Sequence, residues 1–458
     1  MSRFRPVDRD TDFLFPPSVQ EWLPEGHFAR YVVDVVDQFD LGDLVADYGR
    51  KGKRAYHPAM LLGLLIYGYA TGVVSSRKIE RATYDSVAFR YVAGNQHPDH
   101  DTIAHFRRRF GPQFKAIFMQ VLQIARANQL SRFGTVSLDG TKIKANASRH
   151  SALSYGHAKR IEAQLQAEIE EMMAQAEAAD QAEVPDGMDL PAEIQRREDR
   201  LRKIAEAKAE IEARAREAHE HAQAEYDAKV RKREADAQRT GKKPRGRAPK
   251  PPDGPDPDDK AQVNLTDPES RIMLARGKTF EQCYNAQGIV DTESMLLVAL
   301  AVTDQPNDRK QVEPMLDALN ETLPTDLPTP CLVADTGYAS DANLALCEAR
   351  GVDALIAVGR DGHHPAWRER FEEPAPLEGE VSRTERMAHR LKTQAGRAIY
   401  RLRKQTVEPV FGIIKAQMGL RSFSLRGLDA VREEWTLAGI AFNVKRMGSM
   451  QGWSVQWV

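Results

Sequence analysis

Apolar positions along the chain fall into distinct local patterns. Met60 to Val74 is almost continuously apolar, broken only by Gly63, Gly68, Thr71 and Gly72. It is too short for a membrane span and predicts a buried helix. His57-Pro58 opens that helix, since proline suits a first helical turn. Ser75 or Ser76 caps the next one, through Arg77 to Ala82. Further on, Ile103, Phe106 and Phe110 share one helical face behind two candidate caps, Asp99 and Asp101. Strand patterns then predict elements near 134–139, 142–146, 284–290, 295–303, 331–335 and 354–358. Val312, Met315, Leu316 and Leu319 mark a helix after Asn307-Asp308, and Val407, Val410, Phe411, Ile414 and Met418 mark another.

A different pattern fills 157–232. Ile161, Leu165, Ile169 and Met172 recur at helical spacing, the loop Val184 to Pro191 interrupts, and Ile194, Leu201, Ile204, Ile211 and Ala218 resume in heptad phase. Two helices joined by a proline-containing loop predict an antiparallel hairpin standing off the rest, without the residues for a core of its own. The first arm holds nine acids and no Lys or Arg between 161 and 190, whereas the second arm is increasingly basic. The arms attract, although exposed pairs contribute little. A Pro/Gly/charge linker follows at 239–260. Arg239, Lys242, Lys243, Arg245, Arg247 and Lys250 give it a basic half, which either tracks phosphates or is a solvated spacer. The expected organisation is therefore a helical region at 1–130, two first strands at 131–156, an insertion at 157–260 and a second globular stretch at 261–450.

Composition narrows the class. Of 458 residues, 41% are hydrophobic and 29% charged, enough for a sizeable core. Lys plus Arg (65) nearly balance Asp plus Glu (66), so any nucleic-acid surface is local clustering. Three cysteines, none in a C-x-x-C pair, exclude a disulfide scaffold and a cysteine zinc site, and fit a reducing cytosol. The charged N-terminus lacks an apolar signal region, so a cytoplasmic protein without a membrane segment is expected. Arg107, Arg108 and Arg109 end the Ile103 helix and read as outward phosphate contacts, or as a solvated face that the helix dipole favours in any case.

Three carboxylates stand out. Asp139 ends the strand GTVSLDG, where an unpaired charge would be costly. Asp335 follows the fully apolar Cys331-Leu332-Val333-Ala334, a common catalytic placement at the end of a central strand. Either aspartate also reads as a turn or cap residue. Glu408 flanks the Val407 stripe, with Arg401 and Lys404 before it and Lys415 after it on one face. Pro409 leaves two readings: a helix capped by Thr406 and starting here, or a longer helix kinked here. Two aspartates on adjacent strands and a glutamate on a covering helix would supply oxygen ligands for two divalent cations about 4 Å apart. Otherwise Glu408 belongs to a surface ion-pair cluster, and Glu433 or Glu434 would be its replacement.

With these motifs the sequence resembles the DDE transposases of bacterial insertion sequences, in the broad IS-four and IS-five grouping. The InsH-type N-terminal domain is matched through Pro98-Asp99-His100-x-Thr102-Ile103-x-x-Phe106-Arg107, and the catalytic motifs through Asp139 in LDGTKIKANAS, Asp335 in VADTGY and Glu408 in VEPVFGIIK. The family's tyrosine–arginine–glutamate–lysine signature maps to Tyr400, Arg403, Glu408 and Lys415, with the arginine one residue early unless Lys404 replaces it. The resemblance implies an α/β fold: a ribonuclease H-like mixed sheet, an all-α N-terminal DNA-binding domain over 1–130 and an inserted helical hairpin. It also implies two Mg²⁺ ions, with Mn²⁺ as substitute, held by Asp139, Asp335 and Glu408. Double-stranded DNA, both element ends and target, would be the substrate of a homodimer. Arg107, Arg108, Arg109, Tyr400, Arg403, Lys404 and Lys415 would face that DNA. The competing expectations are a decayed or domesticated DNA-binding protein and a nuclease that cuts without joining.

Overall fold

The computed structural model describes residues 18–48, 55–179, 190–240, 247–275, 279–323, 329–359 and 372–454; most of the 184–191 loop and Lys242, Lys243 and Arg245 of the linker lie outside them. The chain divides into two compact units. One comprises Met1–Lys144 with Tyr284–Val458, and the other Ala145–Cys283.

Along the chain, helices α1 (Phe28–Val36), α2 (Gly42–Ala46), α3 (Pro58–Thr71), α4 (Ser76–Asp85), α5 (Val87–Val92), α6 (His100–Arg109) and α7 (Phe114–Ala127) precede strand β1 (Thr135–Lys144). The second unit contributes β2 (Ala152–Ser154), α8 (Tyr155–Ala179), α9 (Leu190–Thr240), β3 (Gln262–Asn264) and β4 (Arg271–Leu274). Strand β5 (Phe280–Asp291) returns to the first unit. It leads to β6 (Leu297–Thr303), α10 (Val312–Thr322), β7 (Cys331–Ala334), α11 (Asp341–Ala349), β8 (Ala354–Ile356), α12 (Arg383–Lys392), α13 (Gln394–Ala416) and α14 (Leu428–Met450).

In the first unit the sheet runs β6-β5-β1-β7-β8. Strands β5 and β6 are antiparallel, whereas β1, β7 and β8 are mutually parallel. The Thr292 N–H donates to the Thr135 carbonyl at 2.9 Å, so the end of β5 meets the start of β1. The two strands expected near 134–139 and 142–146 are one. Gly140 stays in the ladder, and the far end is tied by Lys144, whose N–H donates to the Arg421 carbonyl and whose carbonyl accepts from Phe423.

The helical N-terminal region is not a separate body. Helix α14 packs against α3, α7 and β6 together. It is apolar around most of its circumference, and such a helix needs cover on every side. Two of its side chains serve the sheet. The Asn443 amide accepts from the Leu297 N–H and donates to the Leu297 carbonyl, both at 2.8 Å, and Trp435 Nε1 donates to the Gln287 carbonyl at 3.0 Å. Helix α3 is buried as expected; its cap is His57, whose Nδ1 accepts from the Ala59 N–H at 3.2 Å.

The second unit is the expected hairpin with wider bounds. Helix α9 continues to Thr240, and β2 pairs antiparallel with β3 at the base. Contrary to expectation, it has a small core: Leu153, Ala158, Leu165, Ile204, Ala207, Ile211 and Val263 are all buried together. The heptad positions supply the seam, and the β2–β3 pair supplies Leu153 and Val263 to close it. The arms also pair by charge, Glu168 with Arg197 at 2.9 Å and Glu162 with Lys208 at 2.5 Å.

Candidate active site

Parallel register places two of the three carboxylates together. Leu138 of β1 lies opposite Ala334 of β7, so Asp139 and Asp335 follow at neighbouring strand positions. Neighbours at equivalent positions in parallel strands project from the same sheet face. Asp335 is also a cap, its Oδ1 accepting from the Gly337 N–H at 2.8 Å. The capping and site readings therefore hold at once, because capping uses one oxygen and leaves the other. Asp139 divides its oxygens similarly: Oδ1 accepts from the Gly140 N–H at 2.8 Å, and Oδ2 faces Arg403.

Helix α13 brings the third acid and the counter-charge. It runs unbroken from Gln394 to Ala416 with Pro409 inside, so the longer-helix reading holds and Thr406 is not its cap. Pro409 cannot donate to the Gln405 carbonyl. Thr406 instead donates its hydroxyl back to the Leu402 carbonyl at 3.0 Å. The buried Arg403 reaches all three acids: Nη2 is 2.9 Å from Asp139 Oδ2 and 3.4 Å from Asp335 Oδ2, and Nη1 is 3.6 Å from Glu408 Oε1. Asp139 and Asp335 thus face one another across a single nitrogen. Of the two candidate cations it is Arg403 that meets the acids, whereas Lys404 is exposed.

Burial dominates the electrostatics. It pushes the Asp139 carboxyl from 3.8 up to about 6, against the pull of Arg403 and with help from the negative charges of Asp335 and Asp308. The same surroundings raise the Tyr338 hydroxyl well above its usual range, again chiefly by burial. Among the described residues, no three His, Cys, Asp or Glu side chains are gathered closely enough to hold a metal ion as they stand. The guanidinium lies between the acids instead. The donor set still fits a hard divalent cation, because it is all carboxylate oxygen and already converges on one positive group.

The other expected site residues separate. Arg107 is not outward: it is 6% exposed, and its Nη1 donates to the Tyr69 hydroxyl at 2.9 Å. Four residues after Ile103 and three before Phe110, it falls inside the apolar face that those residues define. Tyr69 in turn donates to Glu434 Oε1 at 2.9 Å, and Glu434 Oε2 accepts from the Ser424 and Leu425 N–H groups. Glu434 is therefore committed to a buried network as a partner of Arg107. Glu433 packs beside Gly111, so of the three glutamates it is Glu408 that pairs with Arg403. Arg109 is held by Asp47 at 2.6 Å and lies over the Tyr48 ring; Arg108 is exposed. Lys415 Nζ donates to the Lys142 carbonyl at 2.7 Å, clamping α13 to β1, and Tyr400 is half-buried.

Three site residues escaped the sequence reading. Asp308 Oδ1 accepts from Asn285 Nδ2 at 2.7 Å and from Gln287 Nε2 at 2.8 Å, and Gln287 Oε1 accepts from the Tyr338 hydroxyl at 2.5 Å. Two amides two residues apart on β5 were the available signal, since period-two spacing puts both on one face.

These features define an α/β protein with a carboxylate centre where β7 ends beside the middle of the parallel strand β1. Residues 260–444 match the family model described as Transposase DDE domain, and residues 17–109 match that described as Transposase domain (DUF772). Together these matches span more than half of the chain, which belongs to the DDE transposases of insertion-sequence type. Asp335 and Glu408 fall within the DDE match, whereas Asp139 precedes it. No curated protein and no solved structure matches the chain.

Proposed function

We infer that this transposase cuts double-stranded DNA at the terminal inverted repeats of its element and joins the freed ends to target DNA, with Asp139, Asp335 and Glu408 as its metal-holding carboxylates. The observation that carries this is the convergence of three acids, from β1, β7 and α13, on the guanidinium of Arg403. Strand order supports a ribonuclease H-like fold: three antiparallel-connected strands, β1, β5 and β6, with β7 and β8 added parallel beside β1.

Bound Mg²⁺, or Mn²⁺ in its place, would supply Lewis-acid stabilisation of the attacking and leaving oxygens. The chain's own residues set the stage for it. Asp139, within β1, and Asp335, at the end of β7, present one oxygen each, while their second oxygens are fixed by backbone N–H groups. Arg403 balances the acids' charge. The exposed Lys404 and Arg401 on α13, with Arg108 on α6, offer cations to the phosphate backbone. Assembly as a homodimer on the two ends, acting in the cytoplasm, completes the reading.

The test is cleavage and joining of labelled end DNA with Mg²⁺, measured beside DNA binding on the same preparations. Asp139→Asn, Asp335→Asn and Glu408→Gln should each abolish cleavage and retain binding. Near wild-type cleavage by any of them removes that residue from the site. Cleavage without joined product in the wild type would favour the nuclease reading, and absence of both a domesticated DNA-binding protein.

A further inference from the structure

The two glycines beside the paired aspartates face a fourth acid. A methyl group at Gly140 would lie 2.6 Å from Asp308 Oδ1 and 3.0 Å from Asn285 Oδ1, and would strike Gln287 Nε2. A methyl at Gly337 would lie 2.9 Å from Asp335 Oδ1 and 3.4 Å from Asp308 Oδ2. Any side chain at either position would fill the space that separates Asp308 from Asp139 and Asp335. Position 140 immediately follows one acid and position 337 lies two beyond the other, so their bareness brings the Asp308 carboxylate up to both.

The remainder of the cradle orients Asp308. Asn285 and Gln287, both fully buried, each donate an amide N–H to Oδ1 and leave Oδ2 beside Gly337, where a methyl would meet both it and Asp335 Oδ1. The Asn285 amide cannot be reversed, because its oxygen would then oppose the carboxylate. Held this way, Asn285 Oδ1 is a buried acceptor with no donor. It lies against the same point beside Gly140 as Asp308 Oδ1. A buried carbonyl oxygen without a donor, next to carboxylates, is an arrangement that a cation or its coordinated water would satisfy.

We propose that Asp308 is a fourth carboxylate of the cation site, held by Asn285 and Gln287 so that its Oδ2 helps to retain a divalent ion beside Asp139 and Asp335. This rests on the reading of those two residues as metal-holding, and the experiment separates the two ideas. Mn²⁺ binding to the full chain, without DNA, is measured by electron paramagnetic resonance for the wild type, Asp308→Asn, Asp308→Glu, Asp139→Asn and Asp335→Asn. Asp308→Asn keeps an acceptor for the two amides and removes only the charge, so it should fold as the wild type and bind Mn²⁺ at least ~10-fold more weakly. Asp308→Glu restores the charge on a longer stem and should recover part of the affinity, which a purely structural role would not. Wild-type affinity in Asp308→Asn, with affinity lost in Asp139→Asn and Asp335→Asn, overturns the role of Asp308 and leaves the proposed function standing. Equal loss in Asp308→Asn and Asp308→Glu overturns it as well. Wild-type affinity in Asp139→Asn and Asp335→Asn overturns the proposed function itself.

Discussion

Replacing Asp139 by Asn should make the metal-free protein more stable at neutral pH. The carboxyl is raised from 3.8 to about 6, chiefly because burial opposes its charge. Between those two values the folded chain binds a proton that the unfolded chain has released. Stability therefore falls as pH rises through that window, and the full penalty is present above it. A shift of about two units corresponds to ~3 kcal/mol. The pull of Arg403 is already contained in that shift. Asn resembles the protonated acid in size and never carries the charge. In EDTA at pH 7.5 the variant should gain ~2–3 kcal/mol, seen as a melting temperature several degrees higher, and the gain should vanish near pH 3.5. Saturating Mg²⁺ should cancel the difference: an ion at 100 times its Kd adds ~2.7 kcal/mol to the wild type and little to a variant that cannot hold it. Thermal unfolding at the two pH values, with and without Mg²⁺, measures all of this. A variant less stable than the wild type at pH 7.5 in EDTA, or a difference independent of pH, would refute the reasoning.

Other expectations follow from the packing. Arg107→Ala should cost ~3–5 kcal/mol in denaturant unfolding, because it leaves the buried Glu434–Tyr69 pair without its cation. Arg108→Ala should leave stability unchanged and lower the salt slope of DNA binding by about one; an unchanged slope would return Arg108 to an ordinary solvated face. Ile204→Ala should destabilise the hairpin by ~2–5 kcal/mol, read as earlier loss of helical signal from that unit. Joining Ser154 to Gln262 through a tight turn should leave the first unit folded, since these residues are already paired neighbours on β2 and β3. Loss of cooperative unfolding in that deletion would show that the hairpin belongs to the core.

Local pattern carried much of the fold. The strand runs around Val136, Ile289, Val298, Val333 and Leu355, the stripe of α13 and the heptads of the hairpin all depend on which residues recur at period two or near 3.6. Periodicity of that kind is written into the covalent order. Asp139 and Asp335 were legible for the same reason, each following an apolar run, although β1 continues past Asp139 to Lys144. The register of β1 on β7, which sets Asp139 and Asp335 side by side, arises only when residues almost two hundred positions apart pair. Tertiary contacts alone decided that Arg403 rather than Lys404 meets the acids, since both lie on α13 and only packing against β1 selects the inward one. They also buried Arg107, which a run of three arginines disguises as surface. Asp308 was hidden most completely. In sequence it only opens a helix, and its place beside the centre depends on two glycines, Gly140 on β1 and Gly337 in the turn after β7, having no side chains to keep it away.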